Sequence, residues 1–128
     1  MNRVVITGMG AITPLGNTVT EFWDGIKNGK NGIAAITNFD ASETGISVAG
    51  EVKDFDATKY MDRKEYKRMD LFSQYAVAAS AQAVEQSGID MEKIDADRFG
   101  VTIGSGVGGF ITMESGIIKM HEKGPKRV

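Results

Sequence analysis

The chain has no cysteine, only two prolines, one histidine and one tryptophan among its 128 residues. Without cysteine, these residues offer no disulfide framework, no thiolate metal site and no thiol nucleophile. The histidine, His121, stands beside Glu122 in a polar stretch, where a surface position is favoured over a metal-binding or catalytic role. A Ser-His-Asp set has no clear members here, so the sequence predicts no catalytic and no metal-binding residue within this chain.

The chain also lacks long apolar runs and any excess of positive charge. No stretch approaches the roughly 20 apolar residues of a membrane-spanning helix. The net charge of -2 gives no overall attraction to nucleic acid or to membranes. Residues 1–16 hold a short apolar stretch that Thr7 and Gly8 interrupt, without the cleavage site of a signal peptide. We therefore expect a cytoplasmic protein that binds neither nucleic acid nor membrane.

The patterns that are present indicate an α/β fold. Strands are predicted for residues 3–8, 47–52 and 99–104, which are short runs rich in β-branched or apolar residues. Helices are predicted after Thr18, which forms an S/T-x-x-E capping box with Glu21, from the charged residues 55–70 into residues 71–84, and again from Phe110. The resulting β-α-β-α-β-α order is typical of a mainly parallel sheet covered by helices.

The predicted helix at residues 71–84 carries no charge and is apolar on nearly every face. Such a helix belongs in the middle of a large protein, and its alanines and serines predict close approach by another backbone. This helix and strands buried on both faces need covering layers that 128 residues barely supply. We therefore expect the chain to be the N-terminal part of something longer.

Glycines crowd the stretch between the third predicted strand and the last helix. Gly104, Gly106 and Gly109 spell G-x-G-x-x-G, the fingerprint of a dinucleotide-binding turn. That fingerprint also needs an acidic residue about 20 positions on, at the end of the next strand. The nearest acids, Glu114 and Glu122, fall inside the predicted helix instead. A Rossmann-type NAD(P)-dependent oxidoreductase remains an alternative that depends on glycine turns alone.

Two groups of basic residues stand out on this net-acidic chain. The first consists of Arg63, Lys64, Lys67 and Arg68, and the second of Lys119, Lys123, Lys126 and Arg127. The first group falls at a predicted helix start, where cations oppose the helix dipole. The two groups suggest an anionic partner, whereas the interleaved acids and the lack of exposed aromatics argue against nucleic acid.

Several segments together resemble one protein family. They are "RVVITGMGAITPLGNTVTEFWDGIKNGKNGI", "RKEYKRMDLFSQYAVAASAQA", "GVTIGSGVGGF" and the final "GPKRV". In this order they resemble the β-ketoacyl-acyl-carrier-protein synthases, above all the elongating synthase II type of bacterial fatty acid synthesis. The resemblance covers about residues 3–128. It implies a thiolase-like fold, layered α-β-α-β-α, of which this chain would form the N-terminal part with a buried central helix.

The family's chemistry is a decarboxylating Claisen condensation of an acyl-enzyme with malonyl-acyl carrier protein, without a cofactor. A cysteine thiolate takes up the acyl group, two histidines assist the condensation, and backbone amides hold the oxyanion. This chain has no cysteine, and His121 matches neither family histidine. The resemblance therefore implies that the catalytic residues lie downstream of Val128 and that residues 1–128 alone are inactive.

The resemblance also assigns roles to residues that are present. The residues expected to line the acyl pocket are Gly106, Val107 and Phe110, with Val107 at the position that gates chain length. The residues expected to dock acyl carrier protein are Lys64, Lys67, Arg68, Lys126 and Arg127. A homodimer is implied for the complete protein, with the glycine loop near its interface. A non-enzymatic carrier-binding module remains the other alternative.

Overall fold

The computed structural model describes residues 3–127, without the side chain of Arg127. These residues contain four α-helices: α1 Val19–Lys27, α2 Arg63–Tyr66, α3 Leu71–Ser87 and α4 Phe110–Lys123. Two short strands, β1 Ala34–Ala35 and β2 Val48–Ala49, lie between α1 and α2. Single 3-10 turns are formed by Ala57–Lys59, Ala96–Arg98 and Pro125–Arg127. No helix within the described residues has both the length and the apolar character needed to cross a membrane.

Helix α1 begins where the capping box predicted. The Thr18 hydroxyl oxygen accepts a hydrogen bond from the Glu21 backbone N–H at 3.2 Å. The Glu21 carboxylate accepts from the backbone N–H of Asn17 at 2.7 Å, one residue earlier than in the usual box. Two N–H groups at the helix entrance are thereby satisfied, which confirms the predicted start.

The predicted parallel sheet is not formed among residues 3–127. The strands β1 and β2 pair antiparallel, with Ala34 opposite Ala49 and Ala35 opposite Val48. Of the predicted strand at 47–52, only Val48–Ala49 is a strand, and residues 3–8 and 99–104 lie outside strands. The physical reason is that a strand needs a neighbour to pair its backbone N–H and C=O groups, and the described residues place no strand beside these two segments.

Helix α3 confirms the predicted element but not its predicted burial. It begins after Asp70, runs three residues beyond residue 84, and ends at Gly88, whose φ of 64° lies in the left-handed region. Only Gln74 and Ala78 along it are buried, while Phe72 is 41% exposed. The described residues cover only part of the surface of α3, so its burial as a central helix stays a prediction for the longer protein.

Close backbone approach to α3 is confirmed. Residues 7–11 run along the helix, and a Cβ built on Gly8 or Gly10 would collide with the backbone oxygen of Ala83 or Ala79, respectively. Only residues without side-chain bulk allow this approach. The alanines of α3 therefore serve as the surface on which the N-terminal segment lies.

Gln82 ties three separate segments to α3. Its side-chain oxygen accepts from the backbone N–H of Ala11 at 3.1 Å. Its amide nitrogen donates to the backbone carbonyl of Asn17 at 2.7 Å and to the hydroxyl of Tyr60 at 2.9 Å. One side chain of α3 thereby satisfies a backbone N–H, a backbone carbonyl and a hydroxyl group of these segments.

Candidate functional site

The glycine loop, residues 104–109, leads directly into α4, as predicted. Gly108 has a φ of 78°, a conformation that favours glycine. Its backbone N–H donates to the hydroxyl of Ser105 at 3.1 Å, which closes a small turn within the loop. Gly109 is the residue that precedes the helix, and Phe110 is its first residue.

The loop is fastened to the start of α3 by one carboxylate. Oδ2 of Asp70 accepts hydrogen bonds from the hydroxyl of Thr112 at 2.6 Å and from the Thr112 backbone N–H at 3.2 Å. The bond from the Thr112 hydroxyl is the main cause that holds the pKa of Asp70 below its ordinary value, with amide hydrogen bonds adding to it. The N-terminal ends of α3 and α4 therefore meet at Asp70.

Two glycines of the loop stand against this junction. A Cβ on Gly109 would lie 2.6 Å from Oδ2 of Asp70, so the Asp70 side chain would have to shift to accommodate it. A Cβ on Gly108 would lie 3.8 Å from the ring of Phe72, in ordinary contact. Gly104 and Gly106 instead face open space. Close packing thus explains the glycine at 109, and the sequence analysis had not identified Asp70 or Thr112.

The three predicted pocket residues do not all share one hollow. Val107 and Phe110 are 62% and 64% exposed. Phe110 lines an open apolar groove along α4 together with Phe39, Met113 and Ile117. Val107 and Gly106 lie in the loop before the first residue of α4, and they do not line the groove.

A second apolar hollow follows α3. It is lined by residues 7–10, by Ala83 and Val84 of the helix, and by Val101 and Ile103. Two of the three segments predicted as strands, residues 3–8 and 99–104, therefore contribute to the lining of one open hollow. Their apolar side chains remain uncovered, as in Val4 and Ile6, which are 91% and 83% exposed.

The basic residues of the first group lie on the surface just before α3. Lys64 belongs to α2, Lys67 is the residue that caps its end, and Arg68 lies in the turn before Asp70. All three are exposed, and none takes part in a salt bridge within residues 3–127. Lys126 is exposed in the turn after α4, whereas the side chain of Arg127 lies outside the described part of the chain.

The described residues present no candidate metal centre. Among them, no group of three or more His, Cys, Asp or Glu side chains could hold a metal ion. His121 is exposed in the last turn of α4, which agrees with the predicted surface position. The residues with a possible role are therefore those of the glycine loop, the apolar groove and the basic surface.

The family model for the β-ketoacyl synthase N-terminal domain matches residues 1–128. The chain belongs to this family. The resemblance read from the sequence segments is thereby confirmed. The alternative of a Rossmann-type oxidoreductase is not supported, because the family that matches the chain is the β-ketoacyl synthases.

Curated relatives of this β-ketoacyl synthase domain carry one common name, 3-oxoacyl-[acyl-carrier-protein] synthase 2. The protein from a Synechocystis species is 50% identical over 125 residues, which are 98% of this chain and 30% of the relative. Those from Vibrio harveyi and Staphylococcus aureus are 48% and 46% identical over 126 residues, with the same coverage. The chain thus spans about a third of the length of these relatives.

Solved ketosynthase structures share the fold of this domain. One match is to the structure of a ketosynthase, bound to the hexaketide, in complex with its type II polyketide synthase acyl carrier protein. The TM-score is 0.77 and the identity 30%, over 97% of this chain and 33% of the matched chain. A β-ketoacyl synthase from Burkholderia phymatum matches with a TM-score of 0.76 and 32% identity, over 97% and 31%. The described residues therefore have the arrangement of the corresponding third of a ketosynthase.

Proposed function

We propose that this domain is the N-terminal part of an acyltransferase that elongates fatty acids. The observation that carries the proposal is the 50% identity, over 98% of the chain, to a 3-oxoacyl-[acyl-carrier-protein] synthase 2. In the proposed reaction, the C–CO₂ bond of malonyl-acyl carrier protein breaks and CO₂ leaves. The freed electron pair forms a bond to the acyl carbonyl carbon, and the enzyme thiolate departs from that carbon.

The catalytic cysteine and the two histidines are expected in the part of the relatives that this chain does not span. The uncovered surface of the described residues supports such a continuation. Residues 3–8 and 99–104 leave an open apolar hollow along α3, and Ile6 and Ile103 are 83% and 56% exposed. Strands added beside these segments would complete a mainly parallel sheet and would bury α3 as the central helix of the layered fold.

The role proposed for the glycine loop is to form one wall of the acyl pocket. Gly106, Val107 and Phe110 present backbone and apolar surface without a charged group. Such a surface suits an acyl chain, because apolar contact is the main interaction that an alkyl group offers. Val107, which is 62% exposed, has room to contact a substrate chain.

The role proposed for the basic surface is to dock acyl carrier protein. Lys64, Lys67 and Arg68 are exposed and unpaired within residues 3–127. Lys126 and Arg127 are proposed to contribute from the turn after α4. Docking of an acidic carrier surface would satisfy these cations, and one of the structural neighbours is a ketosynthase in complex with an acyl carrier protein.

A homodimer contact is proposed for the apolar side of α4. Ile111, Met113 and Ile117 are 59%, 53% and 56% exposed, and they lie on one groove with Phe39. A row of large apolar side chains open to water is typical of a surface that another protein covers. Pairing of two copies here would place the glycine loop near the interface.

The proposal is tested with the longer protein that contains this chain. Incubated with acyl- and malonyl-acyl carrier protein, it should release CO₂ and form the β-ketoacyl product, whereas residues 1–128 alone should form none. Absence of product at every acyl length would overturn the proposal. If residues 1–128 alone form a cooperative, monodisperse fold that binds the carrier, the carrier-binding module is favoured instead.

A further inference from the structure

The junction between α3 and α4 depends on a side chain that none of the roles above uses. Asp70 precedes α3 with φ and ψ of -68° and 157°, yet its carboxylate makes no cap to its own helix. It reaches across 42 residues of sequence to Thr112 in the first turn of α4. The carboxylate thus satisfies a backbone N–H in the first turn of α4 instead of one in α3.

The contacts of Asp70 fix the loop as well as the helix. Oδ2 accepts hydrogen bonds from both the hydroxyl and the backbone N–H of Thr112, and a Cβ on Gly109 would displace it from this position. Gly108 lies against Phe72, two residues after Asp70. The loop end at 108–109 is therefore held to the start of α3. Val107 is the residue next to this fixed end, so its position depends on it.

We propose that Asp70 is a positioning residue for the acyl pocket: through Thr112 and Gly109 it sets the place of Val107 and so the longest acyl chain accepted. The inference rests on the proposed function, because it assigns Asp70 a part in that function's chain-length specificity. In this proposal Asp70 acts through the loop and not by contact with the substrate. Its effect comes from the fixed distance between the loop and the helix on which the loop rests.

The test uses Asp70→Ala and Thr112→Val in the longer protein, with Thr112→Ser as the conservative variant. Asp70→Ala removes the carboxylate that accepts the hydrogen bonds, and Thr112→Val removes the hydroxyl that donates one. Thr112→Ser keeps a hydroxyl at the same place. The measured quantity is the ratio of kcat/KM between a long and a short acyl-acyl carrier protein. We expect this ratio to change by up to about 100-fold in Asp70→Ala, since a displacement of about 1 Å can have an effect of this size. The change should be smaller in Thr112→Val and close to none in Thr112→Ser.

Hydrogen exchange of the amides of residues 105–109 provides a second readout that does not depend on catalysis. Exchange should become faster in Asp70→Ala and stay at the wild-type rate in Thr112→Ser. Asp95→Ala is the matched control, since Asp95 caps only its own short turn by accepting from Asp97 N–H at 3.2 Å. That variant should leave both the ratio and the loop exchange unchanged.

The possible outcomes distinguish failure of the role assigned to Asp70 from failure of the proposed function. An active enzyme whose chain-length ratio is unaltered in Asp70→Ala overturns the inference and leaves the proposed function standing. Equal losses at all chain lengths with unchanged loop exchange also overturn it, because Asp70 would then support stability alone. A wild-type protein that forms no β-ketoacyl product overturns the proposed function, and with it the role in specificity, whereas the exchange data then decide whether Asp70 anchors the loop.

Discussion

The backbone oxygen of Ala79 occupies the space that a Cβ on Gly10 would need. Gly10 lies in the N-terminal segment and Ala79 in the middle of α3. The contact brings two backbones together without an intervening side chain, and Gly8 repeats it one turn of α3 further on, at Ala83. The register of the N-terminal segment on α3 is thereby fixed by two glycines.

We predict that Gly10→Ala lowers the free energy of unfolding by about 1–3 kcal/mol, the usual cost of forcing extra atoms into a packed contact. Urea unfolding of the wild-type and variant proteins measures the difference. Gly100→Ala is the control, because a Cβ at Gly100 meets nothing within 4 Å. Equal effects of the two substitutions would show that the Gly10 contact is not tight.

The helices could be predicted from the sequence because their signals are local. Thr18 and Glu21 are three residues apart and mark the start of α1. The end of α3 at Gly88 lies beyond residue 84, where the helix was predicted to end. The glycine loop likewise indicated a helix from Phe110. Periodicity and caps depend on neighbouring residues, and these neighbours are all present in the chain.

The sheet and the junction at Asp70 could not be predicted in the same way. The apolar runs at 3–8 and 99–104 have strand composition, but pairing depends on partners elsewhere in space. The partner of Asp70 is 42 residues away, and that of the Gln82 side-chain oxygen is 71 residues away. An aspartate before an apolar run indicates a cap of its own helix, which is the role that Asp70 does not take.

For the pocket we predict that Val107→Phe in the longer protein shortens the longest acyl chain accepted. Added bulk at a tight contact costs about 1–3 kcal/mol, or roughly 5- to 150-fold in discrimination between chain lengths. The measurement is kcat/KM across a series of acyl-acyl carrier proteins. Val48→Phe, at an exposed position of β2, should leave the series unchanged. An unchanged chain-length profile in Val107→Phe would contradict the role assigned to Val107.

A pH-dependent contribution to stability is predicted for Glu51. Its carboxylate accepts from the Thr37 hydroxyl at 2.6 Å and from the backbone N–H groups of Thr37 and Asn38. These bonds, with that of the Thr37 hydroxyl first, lower the pKa of Glu51 below 4.5. A lowered pKa in the folded state stabilises the protein at pH values above the ordinary pKa of the group. This contribution is lost as the pH falls through the folded-state pKa.

Glu51→Gln should therefore reduce the free energy of unfolding at neutral pH, and the difference from wild type should shrink as pH falls below 4.5. Denaturant unfolding at several pH values measures it. Glu43→Gln, at an exposed position of the same loop region, is the control and should show no such trend. A difference that is constant with pH would mean that the shape of the side chain matters rather than its charge.

The last prediction concerns the basic surface before α3. Reversal of Lys67 and Arg68 to glutamate should raise the KM for acyl-acyl carrier protein in the longer protein, because both cations are exposed and free of salt bridges within residues 3–127. Single exposed charge pairs contribute roughly 0–1 kcal/mol each, but several together steer association.

The increase in KM should shrink as the salt concentration rises, since exposed charges are screened over about 10 Å at 0.1 M ionic strength. Turnover of a small acyl thioester without the carrier should hardly change. Reversal of Lys30 and Arg98, two exposed cations outside both basic groups, should leave the KM unaltered. Equal losses with both substrates, or no dependence on salt, would show that Lys67 and Arg68 support the structure and not the docking of the carrier.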